Sequence, residues 1–440
     1  MKGTPVAMRI VRIKNQAELA RALKRMRSGS EASPADQAVV AQLLSKVRRQ
    51  GDKALLEATR RFDGCKVARA ADLRVSAAEI RAARKALSPD FLKTLKRVKA
   101  NIAAFQVPLK KASWRRRMRP GVWLGQSVRP LNRVGLYVPG GEAPLISTVL
   151  MTAVPAAVAG VQEIVLCSPD RGKGLDPRLL AAAELAGVTE IYRLGGAQAI
   201  AAMAYGSASI RKVEKIAGPG SRWVNLAKKQ VYGEVGIDSL AGPSEAMVVA
   251  EEGVAQPAWL AADLLSQAEH AGDETAILVT TSRVLAQAVL KELKAQLAAL
   301  PRRKVAESSL KKHGLVAVVK DLGLALDLVN AVGPEHLQLI LKDTEAFASK
   351  VRAAGAIFLG PHTPVALGDF LAGPSHVLPT GSTARFMSGL SVEDFQVKSS
   401  LIRYDAAALA AAGPDLTAMA MAEGLEGHAR SASIRKEKRR

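Results

Sequence analysis

Six histidines are present, at positions 270, 313, 336, 362, 376 and 428, with no HExxH or CxxC spacing among them. No local metal signature therefore exists, and any site has to be assembled from separated segments. Glu335-His336 follows Gly333-Pro334 at a helix-to-strand junction. A carboxylate beside an imidazole suits general acid/base chemistry, because both groups can be poised near neutral pH. The same pair could equally cap a strand at the surface. Gln267 and His270 are three apart on a predicted helix and share one face, whereas Glu269 points elsewhere. From that spacing alone the histidine reads as a structural residue or as a ligand. Asp369, in Gly368-Asp369-Phe370, and His376 lie in a Gly/Pro-rich loop, where function tends to collect. Glu423 and His428 are separated by Gly424 and Gly427, an odd pattern for a plain helix.

Other chemistries find less support. Cys167 ends an apolar strand with no basic neighbour to lower its pKa, so it reads as a buried structural thiol. There is no GxSxG elbow for a serine nucleophile. No GxGxxG follows a strand and no Walker-type loop appears. Pro139-Gly140-Gly141 and Gly218-Pro219-Gly220 could each turn backbone N–H groups toward a pyrophosphate, or be ordinary turns.

Those residues need elements to hold them. Residues 1–128 read as helical, with Ser33-Pro34 and Ser88-Pro89 as helix starts and Gly51 as a break. The texture then alternates: strands at 133–138, 164–167 and 190–194, with helices at 149–159 and 179–186 between them. A second alternation places strands at 246–250, 276–280, 314–319, 337–341 and 356–359, with helices at 255–270, 282–300 and 322–332. Such alternation implies right-handed crossovers and parallel sheets. The expected fold is α/β: two Rossmann-like units at 129–243 and 244–380, and an N-terminal helical region packing with the second unit. A tail at 381–440 lacks a core of its own, as if it packed on a partner subunit.

Bulk properties agree with a soluble enzyme. At 440 residues, 48% of them apolar, the chain can bury more than one core. Two cysteines fit a reducing, cytoplasmic compartment, and neither a leader nor an apolar run of about 18 residues is seen. The net charge of +23 raises the question of nucleic acid. The basic clusters at 115–117, 302–304 and 435–440 lack interleaved aromatics and any recognition-helix pattern, so they read as solvated faces that attract anionic cofactors. Neither a nucleic-acid nor a membrane partner is expected.

Taken in order, these segments resemble the histidinol dehydrogenase family over about residues 35–436. The resemblance is carried by Arg129-Pro130-Leu131 through Val134 to Gly141, by Gly195-Gly196-Ala197-Gln198-Ala199-Ile200-Ala201 and by Ala241-Gly242-Pro243-Ser244-Glu245. It continues in Asp263-Leu264-Leu265-Ser266-Gln267-Ala268-Glu269-His270, Gly333-Pro334-Glu335-His336-Leu337, His376-Val377-Leu378-Pro379-Thr380 and Ala422-Glu423-Gly424-Leu425 up to His428.

The resemblance implies one Zn²⁺ per subunit, bound by Gln267, His270, Asp369 and His428, the last reaching over from the other subunit of a homodimer. It implies a substrate, L-histidinol, held by Ser244, His336, Glu423 and the four metal-binding residues. His336 would serve as base in both oxidations and Glu335 would activate water between them. NAD would lie on the first α/β unit, against Tyr137, Gln198 and Ser221. Three positions depart from the family pattern, since Ser221, Thr152 and Ser375 stand where Asn is commoner, which bears on cofactor affinity. A related enzyme oxidising another polar alcohol, such as a sulfonated diol, is the alternative reading.

Overall fold

The computed structural model describes residues 8–26, 33–140, 144–240, 242–270 and 272–435. Gly141, Ala241 and residues 436–440 of the basic tail lie outside them.

The N-terminal helices start where the sequence places caps. Ser33 accepts the Asp36 N–H at the head of Pro34–Gln50, and Ser88 accepts the Phe91 N–H at the head of Pro89–Gln106. Ser76 and Glu79 form a reciprocal capping box on Ala77–Lys85. Three strands interrupt the expected helical region: β1 (Arg9–Ile13), β2 (Trp114–Arg119) and β3 (Val122–Pro130). Packing also differs from expectation. Val40, Leu44 and Val47 share a core with Tyr137 and Ile200, and Leu95, Val98 and Ile102 share one with Val134 and Leu136, all on the first α/β unit. Met8, Ile13, Leu19 and Ala22 join the second unit. The helices follow the first sheet because it offers them two uncovered apolar faces, whereas β1 completes an edge of the second.

The first unit is a five-stranded parallel sheet of β4 (Arg133–Tyr137), β5 (Glu163–Cys167), β6 (Glu190–Tyr192), β7 (Lys215–Ala217) and β8 (Gly236–Ile237), in the order β6-β5-β4-β7-β8. Chain winding reverses between β4 and β7. In open α/β sheets, ligands bind in the crevice outside the carboxyl ends of the strands at such a reversal. At the opposite edge Arg133, nearly buried, bridges Glu163 at 2.5 Å and Glu190 at 2.9 Å.

The second unit repeats the winding with β9 (Glu245–Ala250), β10 (Thr275–Thr280), β11 (Leu315–Val319), β12 (His336–Ile340) and β13 (Ala356–Leu359). Its order is β1-β11-β10-β9-β12-β13, parallel throughout. Central β9 and β12 pair with His336 opposite Ala246, so Ser244, Glu245, Glu335 and His336 gather at the amino ends of two adjacent strands.

A last strand, β14 (Gln396–Tyr404), pairs antiparallel with β3 in a three-stranded sheet with β2. Helices Ala406–Ala422 and Glu426–Ser433 follow. This arm leaves Ile402 72% and Met419 64% exposed, with Met421 and Leu425 also on the surface. On the same sheet Arg115, Arg117 and Arg403 lie over the Trp123 ring, which corrects the expectation that this basic cluster lacks aromatic neighbours. Among the described residues no helix is long and apolar enough to cross a membrane.

Candidate active site

At the amino edge of the second sheet the side chains form a chain of contacts. Ser244 Oγ donates to Glu335 Oε2 at 2.6 Å, and the Glu245 N–H donates to the same oxygen at 3.0 Å. His336 Nδ1 lies 3.8 Å from that oxygen and 3.3 Å from the Glu245 carbonyl. The carbonyl can only accept, so Nδ1 carries the proton and the lone pair sits on Nε2. Nε2 is buried, has no hydrogen-bond partner, and points toward Asp369 Oδ1 at 3.6 Å. An unpartnered buried acceptor beside a carboxylate is what a proton-abstracting atom looks like before substrate arrives.

Electrostatics follow from this crowding. Burial pushes the Glu335 carboxyl up, opposed by His336 and by the Ser244 and Glu245 hydrogen bonds. Burial alone would depress His336, but Asp369 and Glu335 outweigh it and hold the imidazolium form to higher pH. Burial would likewise raise Asp369; His336, with the charges of His376 and His270, brings it below the ordinary carboxylate range. Glu245, which sequence reasoning passed over as a side chain, is pushed up to about 7 by burial and by the neighbouring Glu335 charge.

Of the expected metal residues, His270 lies near enough to Asp369 for its charge to act on that carboxyl. Helix Pro257–Ala268 stops before His270, so the two residues do not share a helical face as the spacing suggests. Instead the chain folds back and His270 Nδ1 sits 3.0 Å from the Gln267 carbonyl. That bond protonates Nδ1 and leaves Nε2 as a neutral donor, the tautomer a metal needs. Gln267 is 2% exposed and its Nε2 is a buried donor without a partner, so this amide can be satisfied by a ligand's acceptor, while a metal would take its Oε1. Asp369 occupies a short helix, Val365–Phe370, rather than a loop. Gly368 lets that helix approach, since a Cβ there would lie 2.7 Å from the Phe358 ring. An amide, a neutral imidazole and a carboxylate form a donor set that fits Zn²⁺. The set is short of a fourth protein ligand: among the described residues no three His, Cys, Asp or Glu side chains cluster for a metal. Glu423 and His428 are exposed on the tail, and Gly424 (φ +69°) makes the break between their helices.

The cofactor candidates gather at the carboxyl ends of β4, β6 and β7. Tyr137 ends β4, and its hydroxyl accepts the Gly196 N–H at 3.1 Å. Gln198 lies buried in helix Gly196–Tyr205, and Ser221 heads helix Arg222–Val231 without capping it. A Cβ on Gly218 (φ +118°) would overlap the Tyr137 carbonyl, so the Gly218-Pro219-Gly220 turn is pressed against β4. Buried Lys228 and Asp238 fasten it from beneath: Lys228 Nζ donates to the Gly218 carbonyl at 3.0 Å and to Asp238, while Gly218 N–H donates to Asp238 at 2.7 Å. Nothing in the local sequence marks those two residues, nor Asp63, whose carboxylate accepts from Gly195 and Gln198. Thr152 and Ser375 turn their hydroxyls to main-chain carbonyls of Thr148 and Met151. Cys167 is fully buried, its thiol pushed up to about 12 by desolvation, and acts as core.

His376 and its neighbour Ser375 join the two halves. His376 Nε2 lies 3.2 Å from Ser147 Oγ and 3.4 Å from Thr148 Oγ1, on the helix that leaves β4, and Ser375 Oγ donates to the Met151 carbonyl of the same helix, while His376 is close enough to Asp369 for the two to interact electrostatically. The carboxyl edge of the first sheet therefore faces the amino edge of the second. The family profile described as histidinol dehydrogenase matches residues 26–436. The chain belongs to the histidinol dehydrogenase family. A histidinol dehydrogenase from Moorella thermoacetica is 52% identical over 399 residues, covering 90% of this chain and 94% of its own. One from Geobacillus kaustophilus is 47% identical over 98% of this chain and all of its own length. The crystal structure of histidinol dehydrogenase from Elizabethkingia anophelis superposes with a TM-score of 0.92 at 35% identity, over 97% of this chain and 98% of that one.

Proposed function

We propose that this member of the histidinol dehydrogenase family oxidises L-histidinol through L-histidinal to L-histidine, with two NAD⁺ consumed. The observation that carries the reading of the chemistry is the buried chain Ser244–Glu335–His336–Asp369, with the basic Nε2 unpartnered at its centre.

His336 Nε2 takes the proton of the substrate hydroxyl, and its Nδ1–H stays anchored on the Glu245 carbonyl. Glu335, steadied by Ser244 and the Glu245 N–H, takes the proton of the water that adds to the aldehyde. His336, having passed its first proton to solvent when NADH is exchanged for NAD⁺, then removes a proton from the hydrate for the second oxidation. NAD⁺ supplies the hydride acceptor in each oxidation, against Tyr137, Gln198 and Ser221. Gln267, His270 and Asp369, with His428 of the partner subunit, would hold one Zn²⁺, which supplies an electrophilic anchor for the amino alcohol and offsets the Asp369 charge. Ser244 and Glu423 complete substrate binding. Keeping the aldehyde bound lets adjacent residues serve both steps and keeps a reactive intermediate out of solution.

The exposed apolar arm around Ile402, Met419 and Leu425 supports a homodimer in which residues 381–440 finish the neighbour's site. Residues 129–243 would then serve NAD and 244–380 the chemistry. The direct test is to count NADH formed per alcohol consumed across a panel of alcohols. Two per histidinol is expected; turnover of a sulfonated diol with none of histidinol would overturn the substrate.

A further inference from the structure

The N-terminal helices touch the cofactor end of the first sheet through one carboxylate. Asp63 closes the turn Thr59–Asp63, and its Oδ2 accepts two hydrogen bonds, from the Gly195 N–H at 2.9 Å and from Gln198 Nε2 at 3.1 Å. The two glycines of the Gly195-Gly196 pair are what this contact requires. A Cβ on Gly195 would lie 2.6 Å from Asp63 Oδ1 and 2.5 Å from Pro169 Cβ. A Cβ on Gly196, whose φ is +57°, would lie 2.8 Å from Gln198 Oε1.

A carboxamide has one accepting and one donating end, and its partners decide which way it faces. A carboxylate with both N–H groups aimed at one oxygen can only accept. Asp63 therefore claims the NH₂ of Gln198 and turns Oε1 away, folded back over Gly196. Two N–H groups at the head of helix Gly196–Tyr205 are also occupied, Gly195 by Asp63 and Gly196 by the Tyr137 hydroxyl. At a glycine-fingerprint site such groups would face the pyrophosphate. Here they do not.

We infer that Asp63 is a positioning residue for the dinucleotide: it locks Gln198 as a hydrogen-bond acceptor, so this part of the site recognises a hydroxyl or amino donor of the cofactor. The inference rests on the reading of Gln198 as a cofactor contact. The competing role for Asp63 is a plain tether of the N-terminal helices to the sheet.

The test measures NAD⁺ dissociation constants by calorimetry on the full-length protein, beside KM for histidinol and the unfolding midpoint. Asp63→Ala releases the amide and Gln198→Ala removes it; each weakens NAD⁺ by about tenfold with KM for histidinol unchanged, the loss expected for one buried hydrogen bond. Gln198→Glu sets two carboxylates against each other and weakens NAD⁺ comparably. Combining it with Asp63→Asn restores a donor–acceptor contact and again turns an oxygen to the cofactor, so affinity returns to within about threefold of wild type. A tether would lower the unfolding midpoint in Asp63→Ala without moving the NAD⁺ constant, and that result overturns the inference. So does a folded double variant as weak as Gln198→Glu, because Glu cannot replace an amide that has to donate. Unchanged NAD⁺ binding in Gln198→Ala would instead remove the cofactor reading itself, and the inference with it.

Discussion

At the scale of single residues, the site depends on which atom of each side chain is already engaged. The Glu245 main chain contacts both members of the proposed acid/base pair, its N–H on Glu335 and its carbonyl on His336 Nδ1, and so restrains both side chains. Two substitutions separate their roles. His336→Ala should lower kcat for histidinol and for histidinal alike by about 10²–10⁴-fold, the usual worth of a positioned base. Its zinc content, read by atomic emission, should stay that of wild type. Glu335→Gln should leave the first oxidation nearly intact and cut histidinal oxidation by a similar factor of about 10²–10⁴. Single-turnover traces with each substrate check this; equal loss in both oxidations would merge the two roles. The sequence exposes Glu335-His336 as a pair but cannot say which nitrogen is free, because that depends on a carbonyl 91 positions away.

The elements show where reading from pattern works and where it stops. Apolar strands buried on both faces, such as Val134-Gly135-Leu136 and Ile164-Val165-Leu166, announce themselves as continuous hydrophobic runs. Strands β1 and β2 do not: Arg-Ile-Val-Arg-Ile and Trp-Arg-Arg-Arg-Met-Arg are basic edge segments without an apolar run, β1 pairing with β11 about 300 positions on and β2 folding back as a hairpin on β3. The short β7 and β8 also escape, three and two residues long, too brief for a period to appear. For the same reason Asp63 and Lys228 carry no signal; their meaning lies in contacts 132 and 10 positions away.

Arg133 is the element-scale test. It begins β4 and binds Glu163 and Glu190 of the neighbouring β5 and β6, and its guanidinium holds Glu190 down to about 2 from 4.5. A depressed carboxyl contributes stability that is full above its unfolded pKa and fades as pH falls through the folded one. Arg133→Met should therefore destabilise by about 3 kcal/mol at neutral pH, leaving Glu190 and Glu163 with only the exposed Arg211 for a cation. The gap between variant and wild type should narrow as pH drops from 4.5 toward about 2. Urea titrations at stepped pH would show it, and a pH-independent gap would mean that Arg133 acts by packing alone.

The whole molecule explains why the parts stand so far apart in sequence. Two sheets with the same winding meet edge to edge, carboxyl ends of one against amino ends of the other, with His376 between them. The winding reversal at the carboxyl ends of the first sheet and the Glu335-His336 pair at the amino ends of the second are thus turned toward each other. Gln267, His270 and Asp369 belong to the body of the chain, while His428 and Glu423 ride on an arm whose apolar face is bare. Tail exchange resolves both facts together, and it can be measured without a structure. His336→Ala and His428→Ala should each be inactive as homodimers. Unfolded together, mixed equally and refolded, half the dimers are hybrids, and each hybrid has one site with an intact His336 and an intact His428 from its neighbour. Activity should return to about a quarter of wild type. If the mixture stays inactive although native gels show hybrids, each tail serves its own subunit and the two-chain site is wrong.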